Sequence, residues 1–189
     1  MESLKRFSEF LYKKTSWKVM TIAVVIFFLF SATVFPLASH IQKTQTGTAD
    51  MPDTLILASS EDYYGLAESY GETGRSAYIG LRFTFDLAWP AVYGFALTAL
   101  LSFLLKEAKR GWVRALNLLP LAGVLFDLTE NIMAAIYMAR YPSSTDWVIM
   151  HLPYITLFKW LVLGFALIVI LALLGKRGII WLSNRSNKK

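Results

Sequence analysis

The sequence predicts an all-α membrane protein, a bundle of four transmembrane helices with both termini in the cytoplasm. Hydrophobic residues make up 56% and charged residues 17% of the 189 residues, whereas soluble domains average about 45–50% and about 25%. Four long segments are almost free of charge, and basic residues cluster between them. Cysteine is absent, which excludes disulfides, iron–sulfur clusters and thiolate metal sites.

Each of the four apolar segments is long enough for a transmembrane helix. They cover residues 19–39, 83–105, 115–139 and 152–175 and are called TM1 to TM4. About 20 helical residues cross a hydrocarbon core of about 30 Å, and in lipid a single helix satisfies its own backbone. We therefore predict one membrane domain over residues 1–189, with an outer loop at 40–82 and a basic tail at 176–189.

The distribution of Lys and Arg predicts the orientation. The N-terminal flank, the link at 106–114 and the C-terminal tail hold 14 of the 19 basic residues. Because cytoplasmic loops are enriched in Lys and Arg, these three regions are predicted to be cytoplasmic, in a multi-pass protein of the inner membrane. The basic residues flank apolar segments, so the expected partners are membrane lipids, with no nucleic acid among them.

The outer loop is predicted to contain one short extracytoplasmic helix, Ser60–Tyr70, because Ser59 and Asp62 stand at capping-box spacing. The composition of Gln42–Pro52 is typical of coil, and a further helix is expected to run from Arg75 into TM2 without a break. The apolar face of the short helix consists of Tyr63, Leu66 and Tyr70. This helix is either a lid over the site or an ordinary part of the loop.

Four ionisable side chains interrupt the apolar segments. Asp86 lies in TM2, Asp127 and Glu130 in TM3, and Lys159 in TM4. Each costs about 2.5–3.5 kcal/mol at the centre of a membrane, so each needs a structural or functional reason. Counting the helical rise from the middle of each segment places Asp127 at the midplane and the other three in the outer half. Their shared depth predicts one internal polar site.

Neighbouring residues extend this predicted site. Asp127, Glu130 and Asn131 share one helical face, and Pro90 leaves a backbone carbonyl near Asp86 without its helical donor. Asp127, Glu130 and Lys159 are the candidate catalytic residues. The full set of predicted ligand-binding residues is Arg82, Asp86, Tyr93, Asp127, Glu130, Asn131 and Lys159.

Several functions fit such a cluster. It could be a polar lock in a structural subunit or sensor, with Lys159 paired to Glu130 or Asp127. It could instead be a site that opens to the outer leaflet and binds or modifies a lipid-like molecule, because three carboxylates against one lysine crowd like charges. Oxygen ligands for a divalent cation are present, but their spacing does not require one, and no metal or cofactor is predicted. Whether the protein is an enzyme stays open.

Two motifs carry a resemblance to a known group of proteins. A D-x-x-x-P-x-x-Y-G motif at 86–94 and a D-x-x-E-N motif at 127–131 precede Lys159. This order resembles a group of uncharacterised bacterial four-helix integral membrane proteins over residues 74–175. The resemblance implies a four-helix membrane fold and a bacterial origin, but no reaction.

Overall fold

The computed structural model describes residues 2–48 and 50–186, which form helices and the turns that connect them, without any strand. Residues 1, 49 and 187–189, from the predicted N-terminal flank, outer loop and basic tail, lie outside this description. Short 3-10 turns occur at Pro52–Thr54 and Ala115–Leu118. The α-helices are α1 (Glu2–Lys14), α2 (Trp17–Thr46), α3 (Ser60–Arg82), α4 (Phe85–Leu104), α5 (Gly111–Arg114), α6 (Leu119–Arg140) and α7 (Asp146–Ser186).

Four helical stretches are long and apolar enough to cross a membrane: α2, α3 continued by α4, α5 with α6, and α7. The prediction of an all-helical chain with four candidate membrane spans is therefore confirmed. In the bundle, α6 packs against α4 and α7, and α2 packs against α3 and α4. Large apolar side chains on α2 and α7, such as Phe28 and Leu171, stay exposed, as expected for helices that face lipid.

Small residues let the helices approach closely. A Cβ at Gly94 of α4 would lie 2.5 Å from Val124 Cγ2 of α6, and a Cβ at Gly123 of α6 would overlap Leu163 of α7. Small residues at helix contacts are typical of membrane bundles, where van der Waals packing drives association. They fix α4, α6 and α7 next to one another.

The predicted helix boundaries are too short at three places. α2 runs to Thr46, where Gly47 ends it in the left-handed conformation (φ 77°), so the first part of the predicted outer loop is helical. α7 is continuous from Asp146 to Ser186 and includes both the residues before TM4 and most of the basic tail. The N-terminal flank forms a helix of its own, α1, which the sequence analysis did not predict.

α3 begins as predicted but continues further. Ser59 accepts a hydrogen bond from Asp62 N, and Asp62 Oδ2 accepts one from Ser59 N at 2.7 Å, which completes the capping box. Gly71 (φ 61°, ψ 179°) kinks α3 instead of ending it, in a conformation that glycine adopts at little cost. The expected unbroken helix into TM2 is wrong, because the chain leaves helical geometry at Thr84 (φ −121°, ψ −82°).

α3 lies across one end of the bundle, called here the α3 end. Its buried side chains pack against α6 and α7 in an aromatic core, where the rings of Tyr63 and Tyr137 lie 5.7 Å apart. The opposite end, called the α1 end, is closed by α1, which packs against α4 and the Ala115–Leu118 turn. The two ends hold two different clusters of buried polar side chains.

Candidate functional site

A cavity of about 420 Å³ lies between α2, α4 and α7, towards the α3 end. Its wall contains charged and polar side chains as well as aromatic and aliphatic ones. Five of the seven predicted ligand-binding residues line it: Arg82, Asp86, Tyr93, Asp127 and Lys159. The main apolar lining residues are Phe27, Phe35, Phe85, Trp89, Trp160 and Leu163.

The first charged group of the site joins α6 to α7. Lys159 Nζ and Thr156 Oγ1 of α7 donate hydrogen bonds to the two carboxylate oxygens of Glu130. Lys159 Nζ also lies 3.8 Å from Asp127 Oδ1, and Tyr93 of α4 donates to Asp127 Oδ2 at 2.8 Å. Lys159 therefore forms ion pairs with two carboxyl groups that lie one helical turn apart on α6.

The second charged group joins α3 to α4. Arg82 Nε lies 2.6 Å from Asp86 Oδ2, and the guanidinium lies 4.4 Å from the ring centroid of Tyr78, within the range of a cation–π interaction. Arg82 Nη2 donates to Gln42 Oε1 of α2 at 3.5 Å. The two residues are four apart in the sequence and lie on either side of the break at Thr84.

Asn131 connects the two charged groups. Its Oδ1 accepts a hydrogen bond from Arg82 Nη1 at 3.4 Å, and its Nδ2 donates to the backbone carbonyl of Asp86 at 3.0 Å. That carbonyl is the one that Pro90, four residues later, cannot satisfy because proline lacks an N–H. The motif residues Asp86, Pro90 and Asn131 therefore meet at one backbone group.

Glu130 and Asn131 do not line the cavity. They are only 1% and 2% exposed and lie behind its wall, where they hold Lys159 and Arg82. We therefore assign Glu130 a positioning role instead of direct contact with a ligand. Asp127 does reach the cavity, with a phenol donor on one oxygen and an ammonium near the other.

Four polar lining residues were not predicted from the sequence: Ser39, Gln42, Asp53 and Thr54. All but Ser39 lie in the stretch that was predicted to be outer loop. Gly47 was a signal that α2 could extend to Gln42, because glycine commonly ends helices in the left-handed conformation. No local pattern marks Asp53, which reaches the cavity only because the Pro52–Thr54 turn folds back over it.

The predicted lid is wrong. The face of α3 with Tyr63, Leu66 and Tyr70 is buried in the aromatic core on α6 and α7, and none of these residues lines the cavity. The Pro52–Thr54 turn contributes to the cavity wall instead, through Asp53 and Thr54. Trp160 Nε1 donates to the carbonyl of Asp53 at 3.4 Å, which joins the turn to α7.

A second buried polar cluster lies at the α1 end and is uncharged. Ser8 Oγ of α1 donates to Asn117 Oδ1 at 2.8 Å, and Asn117 Nδ2 donates to Ser102 Oγ of α4 at 3.0 Å. Beside it, Tyr12 donates to the carbonyl of Arg114 at 2.8 Å, and Arg114 forms a 2.8 Å ion pair with Glu9. This cluster holds α1 against the bundle.

No protein-family model, curated protein or solved structure matches the chain. Within residues 2–48 and 50–186, no group of three or more Asp, Glu or His side chains is arranged to hold a metal ion. The basis for a function is therefore the cavity and the side chains around it.

Proposed function

We propose that the protein is a multi-pass membrane protein whose cavity binds a lipid-like amphiphile. The observation that carries the proposal is the composition of the cavity wall. Charged and hydrogen-bonding side chains from α2, α3, α4, α6, α7 and the Pro52–Thr54 turn line a 420 Å³ space together with aromatic and aliphatic side chains. Ligand sites of about 300–1,000 Å³ with mostly apolar walls and a few convergent polar groups are typical of small-molecule binding.

The rim of the cavity favours entry from the lipid phase. Phe35 of α2 and Trp160 and Leu167 of α7 line the cavity, and each is also more than two-fifths exposed on the outer surface of the bundle. A molecule that diffuses in the membrane would therefore meet an apolar opening between α2 and α7. Its polar group would then reach Asp127 and Lys159 without crossing the aromatic core under α3.

We further propose that both termini lie in the cytoplasm, that α3 and the Pro52–Thr54 turn lie outside, and that the membrane is a bacterial inner membrane. The concentration of Lys and Arg on α1, on the link at 106–114 and on the end of α7 supports this orientation. The motif resemblance over residues 74–175 supports membership of the bacterial four-helix group. In this orientation, the cavity opens to the outer leaflet.

Reporter fusions test the orientation. Alkaline phosphatase, which is active only outside the cytoplasm, should be inactive when fused after Ser186 and active when inserted after Gly47. Green fluorescent protein at the same two positions should give the opposite pattern. Phosphatase activity at the C-terminal fusion would overturn the proposed orientation and, with it, outer-leaflet access.

Native mass spectrometry of protein extracted in mild detergent tests ligand binding. The wild-type protein should retain a bound small molecule or lipid, and Ala38→Trp should lose it, because Ala38 is a buried lining residue and the indole would fill the cavity. Ala32→Trp is the matched control, since Ala32 is exposed on the same helix and does not line the cavity.

A second cavity variant, Ser39→Trp, covers the case in which Ala38→Trp does not fold. Ser39 lines the cavity but is exposed, so the larger side chain has room. Retention of the same adduct by both folded cavity variants would show that the molecule binds elsewhere and would overturn the proposal.

A further inference from the structure

Carboxyl groups outnumber basic groups around the cavity. Arg82 is paired with Asp86, and Lys159 is closer to Glu130 than to Asp127. This leaves two lining carboxyl groups, those of Asp53 and Asp127, without a basic partner of their own. A carboxylate removed from water is costly unless it is paired, so these two groups favour an occupant with a positive charge.

A second observation, at Asp53, does not depend on the number of charged groups around the cavity. Its Oδ1 atom is buried and accepts no hydrogen bond from any residue that the structure describes. The Pro52–Thr54 turn places Asp53 in the cavity wall, and Trp160 fixes the backbone of the turn through the Asp53 carbonyl. A ligand donor would supply the missing partner.

An anionic head group does not fit the same wall. Arg82 and Lys159, the only basic side chains among the described lining residues, already face carboxylates at contact distance. A phosphate or carboxylate ligand would have to displace one of these pairs while lying close to the carboxyl groups of Asp53 and Asp127. Like charges at short range in a low-dielectric site repel strongly.

Aromatic rings complete a site for a hydrophobic cation. Trp89 lies at the centre of an aromatic cluster on the cavity wall, with ring centroids 5.7 Å from Phe27, 5.3 Å from Phe35 and 5.7 Å from Tyr93. Trp160 faces the cavity from α7. Aromatic faces attract ammonium groups and also pack against hydrocarbon chains, so one wall serves both parts of a cationic amphiphile.

We propose that the cavity binds a hydrophobic cation, an amphiphile with a protonated amine and no phosphate. Its amine binds Asp127 and Asp53, and its apolar body packs on Trp89, Phe35 and Leu163. This inference rests on the proposed function and adds the charge of the ligand to it.

Three probes with the same alkyl chain test the proposal: N,N-dimethyldodecylamine, dodecanol and dodecyl phosphate. Radiolabelled probes are titrated at neutral pH into the full-length protein in phosphatidylcholine nanodiscs, and empty nanodiscs correct for partition into lipid. The amine should bind saturably and at least about tenfold more tightly than dodecanol. This ratio of affinities corresponds to a difference of about 1.4 kcal/mol in binding free energy. Dodecyl phosphate should bind more weakly than dodecanol.

Asparagine variants test which carboxyl groups bind the amine. Asp127→Asn and Asp53→Asn should each weaken amine binding severalfold and leave dodecanol binding unchanged. Asp53 lies in the surface turn, so Asp53→Asn can still test the role of the carboxyl groups if Asp127→Asn does not fold. Glu107→Gln, an exposed carboxyl-to-amide change outside the cavity, is the matched control and should bind all probes as the wild type does.

The outcomes separate the two proposals. Equal affinity for amine and alcohol, or tighter binding of the phosphate, would overturn the cationic ligand but leave an amphiphile-binding cavity in place. Amine selectivity that survives both asparagine variants would overturn the assignment to Asp53 and Asp127. Failure of all three probes to bind saturably, together with an unchanged adduct in Ala38→Trp, would overturn the proposed function itself.

Discussion

The two ends of the bundle hold buried polar clusters of different kinds. At the α1 end, Ser8, Ser102 and Asn117 form a small neutral network in which every buried side-chain oxygen and nitrogen has a partner. At the α3 end, the cluster contains full charges and borders a cavity, and Asp53 keeps an unpartnered buried oxygen. Both clusters connect helices that are distant in sequence.

This difference bears on the alternative that the charged residues are only an interhelical lock. The neutral cluster joins helices through serine and asparagine hydrogen bonds, with the partly exposed Arg114–Glu9 ion pair beside it. Buried ion pairs add little stability compared with apolar packing, because the desolvation of both charges offsets their attraction. A lock also needs no cavity beside it. The surplus of carboxyl groups is therefore better explained by a ligand than by helix packing.

The largest expected effect comes from removing the shared lysine. Lys159→Met should lower the free energy of unfolding by about 3–5 kcal/mol, because loss of one partner leaves buried charges unpaired. The measurement is an SDS titration in mixed micelles followed by tryptophan fluorescence. Lys176→Met, an exposed change on the same helix, should stay within about 0.5 kcal/mol of wild type.

A double substitution sharpens the result. Lys159→Met with Glu130→Leu should recover part of the lost stability, because the two sites are coupled, but amine binding should stay weak. Full recovery of both stability and binding would show that the Lys159–Glu130 pair is a lock without a role in the site.

An intermediate effect is expected in the neutral cluster. Asn117→Leu should cost about 1–3 kcal/mol, because the change removes three hydrogen bonds and leaves Ser102 without its buried partner. The same SDS titration measures it. Amine binding in nanodiscs should stay at the wild-type value, whereas Asn131→Leu, the matched change at the charged cluster, should weaken it. Equal loss of binding in the two variants would contradict the division of roles between the ends.

The smallest effect is expected at Tyr12. Burial raises the pKa of its phenol to about 12, so the hydroxyl donates to the Arg114 carbonyl throughout the neutral range. Tyr12→Phe should cost about 0.5–1.5 kcal/mol at pH 7 to 9. The unfolded phenol ionises near pH 10, so the wild-type advantage should shrink as the pH rises from there towards 12. Tyr154→Phe, an exposed change, should show no such dependence.

Much of the fold follows from residue patterns that act locally. The four apolar segments predict the four candidate spans, because the length of an apolar run and the thickness of a membrane are directly related. The spacing of Asp127, Glu130 and Asn131 predicts a shared helical face. The position of Pro90 indicates a free carbonyl near Asp86, and the structure shows Asn131 bound to it.

Other features depend on contacts that no local pattern encodes. Asp53 joins the cavity only through the path of the chain between α2 and α3. The lid was misplaced because the apolar face of α3 indicates burial but not which surface covers it. Asn117 was missed because an uncharged side chain near the end of an apolar segment resembles many interfacial residues, and its partner Ser8 is 109 residues away.

That separation imposes an order on biosynthesis. α1 is translated before the other described helices, and Asn117, which binds Ser8, is made 109 residues later. At about 5–20 residues per second, the delay is roughly 5–20 s. For most of this interval Ser8 and Tyr12 lack the α4 and Ala115–Leu118 partners that bury them in the finished protein. α1 therefore packs against the bundle late, only after translation of the third apolar segment has begun.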